Sequence, residues 1–247
     1  MEKAPRTAKG ILSHRMDKVQ LWADGIYMGP PALAFAGVHW GERSLITEAV
    51  RQIKGYRKAL WDEGSKLFSH IWNETSQSFE RKAHWGVGNG WALAGITRVL
   101  LLLPEVLRTE REELLAYVNE GLDGVLAHKR QDDLYHNILD DPSTFIETNA
   151  GQQIAYTIFR LAQHGLIDET YIKIAQEFRR AVLKQMDGYG IVRGVCGSPT
   201  FDHSGTANVT DMGSRSLAWT KFVFFSTEGQ AFYVLMEAPY EDYCKAR

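Results

Sequence analysis

Residues 171–184 read YIKIAQEFRRAVLK and have the hydrophobic spacing of an amphipathic α-helix. The apolar residues recur at intervals of three and four, which places them on one face of the helix. They are Tyr171, Ile174, Phe178, Ala181 and Val182. Polar and charged side chains fill the opposite face: Lys173, Gln176, Glu177, Arg180 and Lys184. We therefore predict a helix that packs one apolar face against the rest of the protein.

The same periodicity recurs along most of the chain. It predicts helical segments at residues 20–38, 43–61, 88–103, 109–128, 144–164, 168–186 and 227–237. Thr109 with Glu112, and Thr144 with Glu147, have the spacing of a capping box just ahead of a helical run. No long segment alternates with a period of two, so we expect no extensive β-sheet.

Short extended segments lie between pairs of these predicted helices and resemble one another. They are residues 10–14, 66–70, 133–136 and 190–193, which end in His14, His70, His136 and Arg193. The interval between them is about 60 residues, so the chain repeats a unit of two helices and a short strand. Such a unit cannot bury both of its faces alone, and neighbouring units must stack in an open solenoid or a closed ring. Helices of unequal length with glycines at their N-terminal ends favour the ring, a toroid whose inner ends form a pocket.

The composition excludes several classes of protein. Of the 247 residues 45% are hydrophobic, and 28 Lys and Arg stand against 30 Asp and Glu, for a formal charge of -2. This balance is too apolar for a disordered chain and too evenly charged for a protein that binds phosphate backbones. The longest apolar run, Val99–Leu103, is too short to span a membrane. We expect a globular protein that binds neither nucleic acid nor membrane.

Two further features bear on location. The cysteines Cys196 and Cys244 cannot form a disulfide framework. The first seven residues lack the apolar stretch of a signal peptide. The location stays undetermined, and the lack of a signal peptide in this chain favours the cytoplasm.

Residues 208–226 break the helical pattern. They show no clear apolar stripe and contain the apolar run Phe222–Phe225 near their end. We interpret them as an insertion in a single domain that covers residues 1–247. An irregular final helix is the alternative.

The most unusual local sequence is WADGIYMGPP, from Trp22 to Pro31. Its acid, Asp24, precedes a glycine and lies among Trp22, Tyr27 and Met28. Poor solvation among such side chains raises a carboxyl pKa toward the range useful for a general acid. The alternative is structural: Asp24 caps the helix that carries Ala32–Phe35.

A second unusual sequence is HWGVGNGW, from His84 to Trp91. Its glycines let the backbone approach a ligand closely, and Trp85 and Trp91 offer flat apolar faces that can stack on sugar rings. A nucleotide-binding loop is disfavoured because no strand precedes the glycines and no Lys follows them. A tight turn with core tryptophans remains the structural alternative.

The histidines His14, His70 and His136 occupy equivalent positions in the repeat and could all point to one end of a ring. No His-x-x-x-His pair or carboxylate accompanies them, which argues against a metal site. They could donate hydrogen bonds to a hydroxylated ligand, or each could be a structural histidine. We interpret Glu147, within STFIETNAG, first as a helix-capping residue.

These segments together resemble glycoside hydrolase family 105, the unsaturated rhamnogalacturonyl hydrolases. The similar stretches are LWADGIYMGPPALA (21–34), HWGVGNGWALAG (84–95), DLYHNILDDPSTFIET (133–148), TEGQAFYVLMEA (227–238) and the lead-in PRTAKGILSH (5–14). The resemblance implies an all-α fold, the (α/α)6 toroid of the six-hairpin glycosidases. It agrees with the repeat of helix pairs described above.

The resemblance also implies an activity. Enzymes of this family remove a C4–C5 unsaturated uronic acid from the non-reducing end of oligosaccharides that polysaccharide lyases produce. An aspartate acts as general acid and base: it protonates C4 while water adds at C5, and the hemiketal collapses and releases the next sugar. By position within the matched motifs, that aspartate corresponds to Asp24. The pocket residues correspond to His14, Trp22, Met28, His70, Trp85 and Trp91. The resemblance implies an oligosaccharide substrate and neither a metal nor an organic cofactor.

Two departures from the family pattern stand out. Val87 takes a place where many members carry an arginine that can pair with the substrate carboxylate, so carboxylate recognition must come from elsewhere or the preferred substrate differs. Six repeats of about 60 residues also need roughly 350–360 residues, and this chain holds about four. We therefore expect the N-terminal part of the ring to be missing, and a partner chain or self-association to cover the opening. The alternative function is an inactive or non-catalytic sugar-binding remnant.

Overall fold

The computed structural model describes residues 4–196 and 227–245. The chain forms two compact units, Met1–Val125 (unit 1) and Leu126–Arg247 (unit 2). The predicted insertion at 208–226 lies outside the described residues. Within the described ranges no helix is both long enough and apolar enough to cross a membrane.

Unit 1 alternates helices with short strands. Its elements are β1 (Gln20–Trp22), α1 (Gly25–Met28), α2 (Pro30–Trp40), α3 (Arg43–Leu60), β2 (Trp61–Asp62), β3 (Leu67–Phe68), β4 (Ile71–Asn73), β5 (Ser78–Arg81), α4 (Gly86–Leu102), a short 3₁₀ helix (Glu105–Leu107) and α5 (Arg108–Leu126). β2 and β3 pair as a hairpin, and β1, β4 and β5 form an antiparallel three-stranded sheet in the order β1-β4-β5. The expectation that sheets are minor is confirmed.

Helices α2 and α3 form a tight hairpin because of local backbone chemistry. Proline at the first positions of α2 suits a helix start, where the missing N–H has no intrahelical partner. Gly41 ends α2 with φ +70°, the left-handed conformation that favours glycine. Gly37 lets the two helices approach closely, since a Cβ there would lie 2.6 Å from Ile46 Cγ1.

Helix α4 is buried along almost its whole length. All residues from Gly86 to Gly90 and from Ala92 to Thr97 are buried. A helix that is apolar all round belongs in the interior of a domain. It therefore forms the central element against which α1, α2 and α3 pack.

The described residues of unit 2 form a two-stranded ribbon and three long helices. Its elements are β6 (Tyr135–His136), β7 (Ile146–Glu147), α6 (Asn149–Gln163), α7 (Glu169–Lys184) and α8 (Thr227–Lys245). Helix α6 is buried from Asn149 to Phe159 and packs against both α7 and α8. Asp168 caps α7, with its carboxylate accepting a hydrogen bond from the Thr170 N–H.

Several predicted elements differ from the structure. The helix predicted at 20–38 is wrong at its start, because residues 20–22 pair as β1 with β4 and the Pro30-Pro31 pair starts a new helix after Gly29. The helix predicted at 144–164 begins only at Asn149, since Ile146 and Glu147 pair with β6. The helix predicted at 227–237 continues to Lys245, past Pro239.

The two predicted capping boxes are also wrong. Thr109 lies inside α5, which begins at Arg108. Thr144 instead accepts a hydrogen bond from the Ile138 N–H with its hydroxyl. The apolar stripe of α7 is partly wrong as well: Tyr171 and Ile174 are half-buried. The buried row is Ile172, Ala175, Phe178, Ala181 and Val182.

Candidate active site

Asp24 lies in unit 1 between the end of β1 and the start of α1. Its side chain is only 13% exposed. The oxygen Oδ1 is buried and, among the described residues, has no hydrogen-bond partner. The capping alternative is wrong: the carboxylate makes no side-chain cap bond to α1, and α2 begins after Gly29. A buried carboxyl group with an unused oxygen is costly to ionise and is available to a ligand.

The electrostatic surroundings of Asp24 favour its neutral form. Burial raises its pKa above the ordinary value for aspartate, and the charge of His14 and nearby backbone N–H groups oppose this effect. His14 Nε2 lies 3.9 Å from Asp24 Oδ2, within ion-pair range but too far for a hydrogen bond. The Tyr56 hydroxyl has a raised pKa, chiefly because it is buried and also because of the Asp24 charge. Asp24 can therefore hold a proton to higher pH than an exposed aspartate.

A continuous row of aromatic rings lies beside this carboxyl group. The His14 and Trp22 rings stack with centroids 4.5 Å apart and planes 9° apart. Trp22 meets the His70 ring edge-on at 5.6 Å, and His70 lies 4.6 Å from the Trp85 ring. The structure thus brings together Asp24 and these rings, which are separated by up to 71 positions in the sequence. We call the rings of His14, Trp22, His70 and Trp85 the ring row.

His70 is the most deeply buried member of the ring row. The residue is fully buried, and its Nδ1 and Nε2 atoms have no hydrogen-bond partner among the described residues. Its pKa is well below the ordinary value, first because of burial and then because of the charges of Arg81 and His14. The imidazole is therefore neutral at physiological pH, with one donor and one acceptor nitrogen to offer.

Backbone and side-chain bonds fix the ring row. The Ala23 N–H donates to the His70 carbonyl oxygen at 3.0 Å, which ties His70 to the residue before Asp24. Trp22 Nε1 donates to Gln20 Oε1 at 3.0 Å. Asn89 is buried, donates to the carbonyl oxygens of Phe68 and Trp85, and accepts from the Phe68 N–H. The single asparagine of the GNG sequence thus holds the segments that carry both His70 and Trp85.

The glycines of α4 allow α1 to lie close to it. A Cβ at Gly95 would lie 2.6 Å from the Ile26 carbonyl oxygen, and one at Gly88 would lie 2.8 Å from the Trp85 ring. Contacts this short do not occur, so both positions require glycine. The glycines therefore serve helix packing around the site, and this part of the structural alternative for HWGVGNGW holds.

Trp91 and Met28 lie at helix α1. Trp91 is half-buried and meets the Tyr27 ring at 4.5 Å. Arg98, two turns further along α4, places its guanidinium 4.6 Å above the same Tyr27 ring. Met28, at the end of α1, is 51% exposed. Trp91 and Arg98 thus contact Tyr27 of α1, the helix that directly follows Asp24, and Met28 ends that helix.

Helix α3 clamps the segment that leads to His14. Gln52 Oε1 accepts a hydrogen bond from the Leu12 N–H at 2.8 Å, and the Tyr56 hydroxyl donates to the Leu12 carbonyl oxygen at 2.8 Å. Both polar groups of Leu12 are thus held by residues one turn apart. Sequence analysis missed this pair. Its only signal is that Gln52 and Tyr56 lie in the buried stripe of α3 with Ala49 and Ile53.

The third histidine of the repeat has structural partners in unit 2. His136 Nδ1 lies 2.9 Å from the Thr144 carbonyl oxygen, and Nε2 lies 2.6 Å from Arg130 Nη1. Glu147 caps α6, since its carboxylate accepts hydrogen bonds from the N–H groups of Ala150 and Cys196. Its burial raises the pKa to about 7 despite these bonds. The structural interpretation of His136 and the capping interpretation of Glu147 both fit.

The residues that the structure describes contain no group of three or more His, Cys, Asp or Glu side chains that could hold a metal ion. The site described above contains instead a buried carboxyl group with a raised pKa beside the ring row. A carboxyl group of raised pKa is the kind of group that can serve as a general acid.

Comparisons with known proteins identify the family of the chain. The sequence model of Glycosyl Hydrolase Family 88 matches residues 1–230, and the chain belongs to this family. Unsaturated rhamnogalacturonyl hydrolase YesR of Bacillus subtilis (strain 168) is 26% identical over 198 residues, which are 78% of this chain and 56% of that protein. An unsaturated 3S-rhamnoglycuronyl hydrolase of Alteromonas sp. (strain LOR) is 25% identical over 130 residues, 49% of this chain and 30% of that protein.

A solved structure shows the same fold. The crystal structure of a possible member of family 105 from Salmonella enterica serovar Paratyphi A matches with a TM-score of 0.84 and 23% identity. The match covers 98% of this chain and 63% of that one. The predicted all-α fold class of the six-hairpin glycosidases and the resemblance to family 105 are therefore confirmed. The chain spans little more than half the length of the YesR protein that it matches.

Proposed function

We propose that this chain acts as a glycosidase on oligosaccharides that end in a C4–C5 unsaturated uronic acid. The main observation in support is the carboxyl group of Asp24, which is 13% exposed and lies beside the ring row. Its pKa is raised, and its buried Oδ1 has no hydrogen-bond partner among the described residues. The names of the relatives, unsaturated rhamnogalacturonyl and rhamnoglycuronyl hydrolases, support the substrate class. The preferred substrate is of the unsaturated rhamnogalacturonan type, after the first of these relatives.

In the proposed mechanism Asp24 donates its proton to C4 of the C4=C5 double bond. The resulting carboxylate takes a proton from a water molecule, whose oxygen bonds to C5, so Asp24 regains its starting form. The product is a hemiketal at C5. Its ring C5–O bond breaks as the proton of the C5 hydroxyl moves to the ring oxygen, which leaves a ketone at C5 and a hemiacetal at C1. The hemiacetal then collapses: its hydroxyl proton passes to the glycosidic oxygen, which leaves as the alcohol of the next sugar, and C1 becomes an aldehyde. The net change is the addition of water, and a single acid suffices, because it acts in turn as acid and base.

The ring row and its neighbours bind the sugar in this proposal. Trp22, Trp85 and Trp91 offer apolar faces to the sugar rings, and Met28 borders the site. His14 and the neutral His70 form hydrogen bonds to sugar hydroxyl groups, and the two unpartnered ring nitrogens of His70 supply one donor and one acceptor. No step uses a metal ion or an organic cofactor.

The decisive experiment follows the ultraviolet absorbance of an unsaturated disaccharide, which disappears when the double bond is hydrated. We expect Asp24→Asn to abolish turnover and to preserve sugar binding, because the amide keeps the shape but cannot donate an acid proton. Asp123→Asn is the matched control, since that side chain is 53% exposed on α5 and lies in an ion pair with Lys66. Turnover by Asp24→Asn at the wild-type rate would refute the assignment.

The same assay distinguishes the second candidate function, a non-catalytic sugar-binding protein. The observation that favours it is that the chain spans only 56% of the YesR protein. Binding of the disaccharide to the wild-type chain without any decay of the absorbance would establish it.

We also propose that two copies of the chain associate through α2. Phe35, Val38 and Trp40 on this helix are 63%, 49% and 69% exposed, and the residues between them include no Asp, Glu, Lys or Arg. An exposed apolar face can pair with its own copy about a two-fold axis. Sedimentation should show a dimer that Trp40→Glu dissociates, and a monomeric wild-type chain would contradict this.

A further inference from the structure

The substrate class proposed above carries a carboxylate next to the double bond. A carboxylate that enters a site poor in water needs a cation or several hydrogen-bond donors to replace its hydration. Val87 cannot serve, because its side chain is apolar and 1% exposed. His70 cannot supply a charge either, since burial keeps its imidazole neutral. The substrate carboxylate therefore needs another cation of unit 1 that lies beside the ring row.

Arg81, at the end of β5, is such a cation. The residue is only 5% exposed, although an arginine is normally at the surface. A buried guanidinium costs free energy unless the protein or a ligand compensates its charge. Because the residue is buried, solvent screens its charge only weakly.

The register of the three-stranded sheet places Arg81 in the same row as Trp22. Trp22 pairs with Ile71, and Ile71 pairs with Arg81. Residues that pair across antiparallel strands direct their side chains to the same face of the sheet. Neighbouring strands lie about 4.8 Å apart, so the Cα atoms of Trp22 and Arg81 are about 10 Å apart. Arg81 thus belongs to the sheet face that carries the central indole of the ring row.

Two further observations support this placement. The register between β4 and β5 shifts between Ile71 and Trp72, and such irregularities re-aim the neighbouring side chains, often next to active sites. The charge of Arg81 also contributes to the low pKa of His70, after burial, so its field reaches the ring that contacts both Trp22 and Trp85.

We propose that Arg81 binds the carboxylate of the terminal unsaturated uronic acid and determines the preference for a charged sugar. This inference rests on the proposed function for the identity of the substrate. A guanidinium can hold a carboxylate with two parallel N–H···O bonds, which fixes the orientation of the sugar ring as well as its charge. Arg81 is thus a specificity-determining residue, and the proton transfer belongs to Asp24.

The test compares the unsaturated disaccharide with its methyl ester, which has the same double bond and no charge. We expect Arg81→Gln to lower kcat/KM for the acid by roughly 10- to 100-fold, as for loss of a charged hydrogen bond, and to leave the ester unchanged. The loss should fall mainly on KM, because the carboxylate is charged in both the ground and transition states. Arg108→Gln on α5 is the charge-matched control, with a side chain 84% exposed.

Two outcomes would overturn the assignment. One is that the ratio of kcat/KM for the acid to kcat/KM for the ester is the same in the wild type and in Arg81→Gln. The other is loss of that preference in Arg98→Gln instead, since Arg98 is the cation that stacks on Tyr27. If Arg81→Gln fails to fold, Arg81→Lys provides the same test. Lysine keeps the positive charge but lacks the two parallel N–H groups of the guanidinium, so we expect a reduced but measurable preference for the acid over the ester. An unchanged preference contradicts the proposal.

Failure of the proposed function has a separate signature. In that case the wild-type chain turns over neither the acid nor the ester. Calorimetric binding of a saturated uronate disaccharide and of its methyl ester then tests Arg81 directly. A preference for the uronate that disappears in Arg81→Gln supports carboxylate binding without any catalysis, and a preference that persists refutes it.

Discussion

The hydroxyl oxygen of Tyr56 lies 2.5 Å from the point where residue 25 would place a Cβ atom. Gly25 directly follows Asp24, so the tyrosine on α3 limits the residue type next to the proposed acid. We expect Gly25→Ala to displace either the Tyr56 ring or the Asp24 segment. The overpacking should lower the free energy of unfolding by about 1–3 kcal/mol and reduce kcat, as denaturant titration and the absorbance assay can measure.

Gly188→Ala is the matched control for this substitution. A Cβ at Gly188 would meet no atom within 4 Å, and its backbone is not left-handed. Its stability and turnover should stay at the wild-type level. Wild-type values for Gly25→Ala would show that the contact with Tyr56 relaxes without consequence.

The second prediction concerns the clamp on Leu12. Tyr56→Phe removes the donor to the Leu12 carbonyl oxygen and leaves that half-buried acceptor without this hydrogen bond. We expect a loss of about 1–3 kcal/mol in the free energy of unfolding and a lower kcat, because residues 12–14 carry His14 toward Asp24. Tyr117→Phe, whose hydroxyl donates to Glu113 at a half-buried site, should cost less than about 0.5 kcal/mol. Equal effects of the two substitutions would argue against a positioning role for Tyr56.

The third prediction concerns the pH dependence of turnover. The charge of His14 lowers the pKa of Asp24, in opposition to burial. His14→Gln removes this charge, so the pKa of Asp24 should rise, and the acid form should persist to higher pH. The alkaline limb of the pH–rate profile should therefore move to higher pH, whatever the change in absolute rate. His39→Gln, on the exposed end of α2, should leave the limb in place. If the alkaline limb stays fixed or moves to lower pH in His14→Gln, the charge of His14 does not lower the pKa of the group that limits turnover.

The fourth prediction concerns the stability of unit 2. Burial raises the pKa of Glu147 from 4.5 to about 7. Below pH 4.5 the carboxyl group is protonated in both the folded and unfolded states, and it contributes no pH dependence. Between pH 4.5 and 7 the unfolded chain releases the proton first, so the stability of the wild type falls as the pH rises. Above about pH 7 both states are ionised, and the loss is constant at about 3 kcal/mol.

Glu147→Gln should abolish this pH-dependent loss, because the amide does not titrate. From pH 4.5 to 7 the wild type should lose about 3 kcal/mol in its free energy of unfolding relative to the variant. Glu241→Gln, 64% exposed on α8, should show no such shift. A pH-independent difference for Glu147→Gln would mean that the carboxyl group titrates near its ordinary value.

Local periodicity predicted some elements closely. The helix expected at 43–61 is α3, Arg43–Leu60, and that expected at 168–186 is α7, Glu169–Lys184. In both, one apolar face alternates with a charged one, so neighbouring residues alone carry the signal. The helix expected at 20–38 failed because β1 pairs with β4, about 50 positions away, and sequence periodicity contains no such information.

The candidate site shows the same division. WADG and HWGVGNGW are short and unusual, so the sequence singled out Asp24, Trp22 and Trp85. The structure places Trp22 and Trp85 against the His70 ring and Asp24 3.9 Å from His14. Gln52 and Arg81 escaped notice, because each is an ordinary polar residue in its own segment. Their roles depend on partners 40 residues away, at Leu12, and across two strands, at Trp22.

The sequence by itself determined the helical repeat, the helices with a clear apolar face and the chemical groups of the site, because these depend on residue types at short spacing. Only the tertiary structure decided that Asp24 is buried with a raised pKa, that four rings meet beside it and that Gly25 must be glycine. These properties depend on the loss of water and on contacts between atoms from distant segments. Solvent exclusion is a property of the packed chain, and no local pattern records it.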